Sequence, residues 1–242
     1  MEQFRPTGFR ILPPVVKNLL IINGLFFLAT MATSTMFDLG DYLALHYPAS
    51  PLFKPHQLVT YMFMHGGFSH ILFNMFALWM FGNALENVWG PKRFLVFYMV
   101  TGIGAGLIQL MVMYLRISNI EADLPLEMIT MVKEQGYQAL QESKNFTDPI
   151  LAKLNILYNT STVGASGAVF GILLGFGMLF PNVMIYLLAA IPIKAKYVVM
   201  GYGAIELFSG FSNNPNDNVA HFAHLGGMLF GYFLILYWKK KP

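Results

Sequence analysis

Gly164-Ala165-Ser166-Gly167-Ala168-Val169-Phe170-Gly171 places one hydroxyl among small residues at the outer end of an apolar run. Insertion of that run in a bilayer has no need of the serine. A second apolar run, near the C-terminus, begins His221-Phe222-Ala223-His224-Leu225-Gly226-Gly227 and has Gly231 one turn further on. A hydroxyl and an imidazole, each near the end of a separate smooth-faced helix, are the minimum parts of an activated serine nucleophile.

The surrounding composition says what kind of chain carries them. Of its 242 residues, 56% are apolar and 11% charged, and the mean hydropathy is +0.54. That leaves too little polar surface to cover a soluble globule, so a polytopic membrane protein with one helical domain is expected. With no cysteine, disulfide and thiolate chemistry are excluded. A net charge of +3 is small, and a basic balance gathered on one side of a membrane reports orientation, not nucleic-acid binding.

Apolar runs of about 17 or more residues can cross a hydrocarbon core about 30 Å thick. Working outward from Ser166, the chain reads as an all-α bundle of six transmembrane spans, at about 15–36, 68–89, 94–115, 166–180, 197–212 and 219–238. The second ends at Trp89-Gly90-Pro91-Lys92-Arg93, a stop followed by a short turn. Residues 37–67 suit a loop lying on the membrane surface. The polar insert 118–163 is expected outside, with one short amphipathic helix suggested by Leu126, Ile129, Val132 and Leu140. Nine apolar residues at 183–191 give only about 14 Å of helix, so that stretch reads as interfacial.

With both termini cytoplasmic, the inner segments hold Arg5, Arg10, Lys17, Lys92, Arg93, Lys194, Lys196 and the triplet Lys239-Lys240-Lys241, ten of the fifteen cations. A seventh span would place the triplet outside. The even-numbered spans then all enter from the outer side, which puts His70, Asn74, Ser166, His221 and His224 at comparable depth. His70 and Asn74 share a helix face. Gly167, Gly171 and Gly175 form a small-residue stripe on the fourth span, as Gly227 and Gly231 do on the sixth, so these helices can approach closely enough for Ser166 to bond His224.

A serine hydroxyl must lose its proton to a base as it attacks, and a partly buried, neutral His224 can accept it. Attack on an amide also creates an oxyanion. The ring of His70, the side-chain amide of Asn74 and backbone N–H groups at Ser166, on the positive end of a helix, are the candidate donors. Taken singly, the serine and the glycines read as packing residues and His70 and Asn74 as an interhelical hydrogen bond.

Taken together, the chain resembles the rhomboid intramembrane serine proteases from about residue 15 to 238. The resemblance rests on Gly164-Ala165-Ser166-Gly167, on Ala223-His224 followed by Gly227 and Gly231, on the segment from His65 to Asn74, and on Gly82, Glu86 and Gly90. It implies a catalytic dyad of Ser166 and His224 without a catalytic acid, and an oxyanion site drawing on His70, Asn74 and Ser166. It also implies packing support from Gly164, Gly167, Gly227 and Gly231, with Phe170 beneath the histidine ring. The implied substrates are single-span membrane proteins cut in or near their transmembrane segment within the lipid bilayer, with neither cofactor nor metal. With no presequence in view, a bacterial cytoplasmic (inner) membrane is expected, the site opening to its extracytoplasmic side.

Three further polar residues and two other functions enter the comparison. His221 is a second candidate base, Asp217 a candidate third member, and Glu206 a carboxyl in an apolar span that needs a partner, with a structural hydrogen bond expected. A non-proteolytic membrane-protein binder or adaptor on the same scaffold would lack the nucleophile or the base. A metal, haem or transport protein would need His65, His70, His221 and His224 to converge.

Overall fold

Helix α1 (Pro14–Thr33) starts at Pro13-Pro14, where a proline supplies helical φ and lacks only an N–H that the first turn cannot bond anyway. Its next two donors are met from far along the chain: the backbone N–H groups of Val15 and Val16 donate to Glu86 Oε1 and Oε2 at 2.9 and 2.8 Å. The carboxylate is almost fully buried and faces the positive end of α1, so it acts as a remote N-cap. The structure, a computed structural model, describes residues 10–187, 190–212 and 219–240.

After α1 the chain makes two single-turn helices, α2 (Gly40–Leu43) and α3 (Gln57–Thr60), and a 3-10 turn at Tyr61–Phe63. Helix α4 (Phe68–Ala77) then runs through a π-helical turn, Leu78–Gly82, into α5 (Asn83–Glu121). Within α5, Gly90 has φ 78° and ψ 166° and is followed by Pro91, so the helix breaks and the chain doubles back. Leu85 and Phe97, which a straight helix would separate by about 18 Å, both lie within 3.4 Å of where a Cβ of Gly175 would stand. The returning arm continues to Glu121, into the insert.

The insert forms two helices, not the single one expected: α6 (Leu126–Gln141) and α7 (Pro149–Asn159). Asp148 caps α7 by accepting from Ile150 and Leu151. Ile129 and Val132 face inward as their spacing suggests, whereas Leu126 is exposed. Val132, Leu154 and Tyr158 close a small apolar cluster with Met113 and Ile117 of α5.

Helix α8 (Ser166–Leu179) is followed by an antiparallel hairpin, β1 (Met184–Leu187) and β2 (Ile191–Lys194), pairing Ile185 with Ile193 and Tyr186 with Pro192. The fold is therefore mostly helical, not all-α. Residues 183–191 are too short for a span, follow a helix stop at Pro181-Asn182, and are rich in residues that suit a pleated strand. Helices α9 (Ala195–Phe211) and α10 (His221–Lys240) complete the described chain.

By length and composition, Pro14–Thr33 and the stretch Phe68–Glu121 can cross a membrane, with mean hydropathies of 1.8 and 1.9. Helix α8 is shorter and lies at the centre, packed between α5 and α10. Encased by protein, it has no need to match a bilayer in length.

Candidate active site

The serine is fixed from behind by loop backbone. Thr162 and Leu45 exchange N–H to O bonds of 2.8 and 2.9 Å, and Gly164 N donates to Tyr61 O at 2.9 Å. These bonds, made by the segments before α8 and before α4, hold the approach to Ser166 against the fold. Gly164 has φ 127°, open only to glycine, and a Cβ there would stand 2.8 Å from His70 Nε2 and 3.5 Å from Ser166 Oγ. The imidazole and the hydroxyl thus flank one small space.

Ser166 is the first residue of α8, so its backbone N–H and that of Gly167 have no carbonyl one turn back to bond. Such a terminus favours negative charge. His70 Nδ1 accepts from Gly66 N at 3.4 Å, a tautomer in which Nε2 carries the proton. Asn74 is buried and spends one amide N–H on His70 O at 2.9 Å, which leaves the other available.

Helix α10 reaches Ser166 through glycine. A Cβ on Gly227 would stand 1.8 Å from Gly167 O, and one on Gly231 3.5 Å from Gly171 O, so the backbones of α8 and α10 are in direct contact. The same stripe also serves α5: the Cβ position of Gly167 meets Ala105 and that of Gly171 meets Thr101, both on α5, while the Gly167 position stays within 3.6 Å of Ala223 O on α10. At this separation the hydroxyl of Ser166 and Nε2 of His224 are 2.8 Å apart. The ring of Phe170 lies parallel to that of His224, centroids 4.3 Å apart at 5°. The sequence-derived pair and its aromatic neighbour are brought together, and His70 and Asn74 line the same cavity.

Glu206, of which the sequence indicated only that it needs a partner, has two. Its Oε2 accepts from His221 Nδ1 at 2.6 Å and lies 2.9 Å from His224 Nδ1. The second contact is off the ring N–H direction, so Nδ1 makes no aligned hydrogen bond and the attraction is one of charge and proximity. His221 therefore sits beside His224 and not against Ser166. The missed signal was depth: a carboxyl on α9 faces the histidine pair of α10. Asp217 lies outside the described residues.

The four histidines considered for a metal do not converge. His65 stacks edge-on against His70, with centroids 5.1 Å apart, while Glu206, His221 and His224 form a separate group with potential ligand atoms within 4.8 Å of one another. The 2.6 and 2.9 Å contacts in that group are shorter than the about 3.3 Å that two ligands keep on tetrahedral zinc. They are hydrogen-bonding distances.

The site opens into a cavity of about 2560 Å³ that reaches Phe73 on α4, Ile156 on α7, Val198 and Tyr202 on α9, and the hairpin. Burial, reinforced by repulsion from His70, lowers the pKa of His65, in the loop ahead of α4, to about 4. That ring stays neutral at neutral pH.

Comparison with known proteins identifies the family. A model of the rhomboid domain matches residues 53–119 and 137–241. Rhomboid-like protein 12, mitochondrial, of Arabidopsis thaliana is 26% identical over 219 residues, 88% of this chain and 55% of its own length. Rhomboid protease AarA of Providencia stuartii is 27% identical over 185 residues, 75% of this chain and 55% of its own. Rhomboid protein 1, mitochondrial, of Saccharomyces cerevisiae is 28% identical over 184 residues, 76% of this chain and 42% of its own. The chain spans about half the length of the curated relatives it matches. With the domain model matching most of its residues, the chain belongs to the rhomboid family of membrane proteins.

Proposed function

We propose that this chain is an intramembrane serine endopeptidase that hydrolyses peptide bonds in or near the transmembrane segment of single-span membrane proteins. The observation that carries the reading is the 2.8 Å contact between Ser166 Oγ and His224 Nε2 at the start of α8, inside a cavity with apolar walls. Ser166 Oγ attacks the scissile carbonyl carbon as its proton passes to His224 Nε2. Negative charge then gathers on the former carbonyl oxygen, within reach of His70 Nε2–H, the free amide N–H of Asn74 and the backbone N–H of Ser166. As the C–N bond breaks, His224 returns the proton to the departing amine. Water, activated by the same ring, then cleaves the acyl-serine and regenerates the hydroxyl.

Six spans with both termini cytoplasmic complete the proposal. That topology puts the catalytic pair a few residues below the outer surface, where water can reach it, in a bacterial cytoplasmic membrane. Helices α4 and α9 both line the cavity without forming a packed pair, which favours entry of a substrate helix between them. The reaction needs neither cofactor nor metal, and no nucleic acid takes part. Ser166→Ala and His224→Ala should each abolish cleavage of a model single-span substrate at unchanged expression. Cleavage retained by either variant would refute the assignment.

A further inference from the structure

We infer that Glu206 is a positioning residue for the His224 base, so that Ser166, His224 and Glu206 act in line where the family resemblance implied a serine and a histidine alone. The inference rests on the protease reading of the site. Glu206 lies on α9 and is only 7% exposed, in surroundings where a carboxyl without a partner is costly. Both of its partners are rings of α10, and both contacts use the same oxygen.

The geometry assigns the protons. For Ser166 to donate to Nε2 of His224, that nitrogen must be bare, which leaves the ring's proton on Nδ1, 2.9 Å from Glu206 Oε2. A carboxylate beside Nδ1 favours this tautomer. It also stabilises the imidazolium that forms once the serine proton arrives, without itself taking a proton. His221 plays a separate part, because its 2.6 Å hydrogen bond anchors the carboxylate. The off-axis approach to Nδ1 limits the effect to less than that of an aligned triad, where losing the carboxylate's charge lowers kcat about 10⁴-fold.

The test compares purified wild-type, Glu206→Gln, Glu206→Asp and Ser166→Ala proteins. Three quantities are read: the rate of labelling by a serine-reactive fluorophosphonate, kcat and KM for a single-span substrate, and the thermal unfolding midpoint. Glutamine keeps size and hydrogen-bonding capacity but removes the charge. The expected result is about a 10- to 100-fold fall in labelling rate and kcat, at or below the lower end of the about 10²- to 10⁴-fold that general-base assistance supplies, with KM unchanged and partial rescue by aspartate. Labelling and kcat per folded molecule within twofold of wild type, even with a lowered midpoint, would overturn the inference and reduce Glu206 to a structural residue. Stoichiometric zinc in the wild type that disappears in Glu206→Gln would overturn it as well, because the carboxylate would be a ligand. If the wild type itself fails to label and to cleave, the protease reading falls first and this inference with it.

Discussion

Gly227→Ala tests whether the α8–α10 approach sets the reactive distance. The new methyl carbon would stand 1.8 Å from Gly167 O, and an ordinary carbon-to-oxygen contact is at least about 3.3 Å. The obstruction is backbone and cannot rotate away, so α10 has to retreat by about 1.5 Å. Gly227 is one turn from His224, and Gly167 adjoins Ser166, so most of that displacement is felt at the 2.8 Å contact between them. The pair opens to about 4 Å, beyond hydrogen-bonding range. A shift of this size should cost about 100-fold in the rate of serine modification and about 1–3 kcal/mol of stability from overpacking. The assay is fluorophosphonate labelling per folded molecule, with thermal unfolding run in parallel. Gly201→Ala is the control: nothing lies within 4 Å of its Cβ position, and labelling should be unchanged. A folded Gly227→Ala protein that labels within threefold of wild type would refute the reasoning.

Glu86→Ala strands the N–H groups of Val15 and Val16 in the protein interior and should cost about 3–5 kcal/mol; thermal unfolding measures it, and a loss below about 1 kcal/mol would contradict the remote cap. Phe170→Ala removes the ring stacked 4.3 Å from His224 and should lower kcat about 3- to 10-fold, with Phe170→Tyr near wild type; equal rates for the two variants would deny the stack a role. A fourth prediction concerns pH. His65 has a pKa lowered from 6.5 to about 4, so below 6.5 the unfolded chain binds the extra proton and stability rises with pH between about 4 and 6.5, by up to about 3 kcal/mol, then levels off. His65→Leu should flatten that slope in unfolding midpoints taken at pH 5 and pH 7, and equal slopes in both proteins would refute it.

What was legible in the sequence was set by local pattern. Ser166 stands where an apolar run begins, and α8 starts at that residue. The break at Gly90-Pro91 was readable for the same reason, since glycine and proline act on their own backbone. Partner choice between distant elements was not. The stripe Gly167, Gly171 and Gly175 was expected to face the sixth span, and Gly167 and Gly171 do meet Gly227 and Gly231 of α10 through their carbonyls, but the side-chain positions of the stripe also press on α5, which its spacing did not indicate. Glycine spacing reveals that a helix has a smooth side without saying which neighbour lies against it.

Glu86 and Glu206 extend the same lesson. Each is a buried carboxylate whose partners sit on another helix, at Val15 and Val16 for one and at His221 and His224 for the other. Desolvation says that a partner must exist, but rotation of the helices about their axes decides which residue provides it. The hairpin at 184–194 escaped because a short apolar run carries no periodicity that separates strand from helix.

The central claim is that His224 activates Ser166. Its most direct measurement is mass spectrometry of the protein after limited exposure to a fluorophosphonate, with the adduct mapped to a residue and timed in wild type and His224→Ala. The account predicts a single adduct on Ser166 that forms in the wild type and fails to form on the same timescale in the histidine variant. An adduct at another residue, or one on Ser166 that forms equally fast without the imidazole, would contradict it.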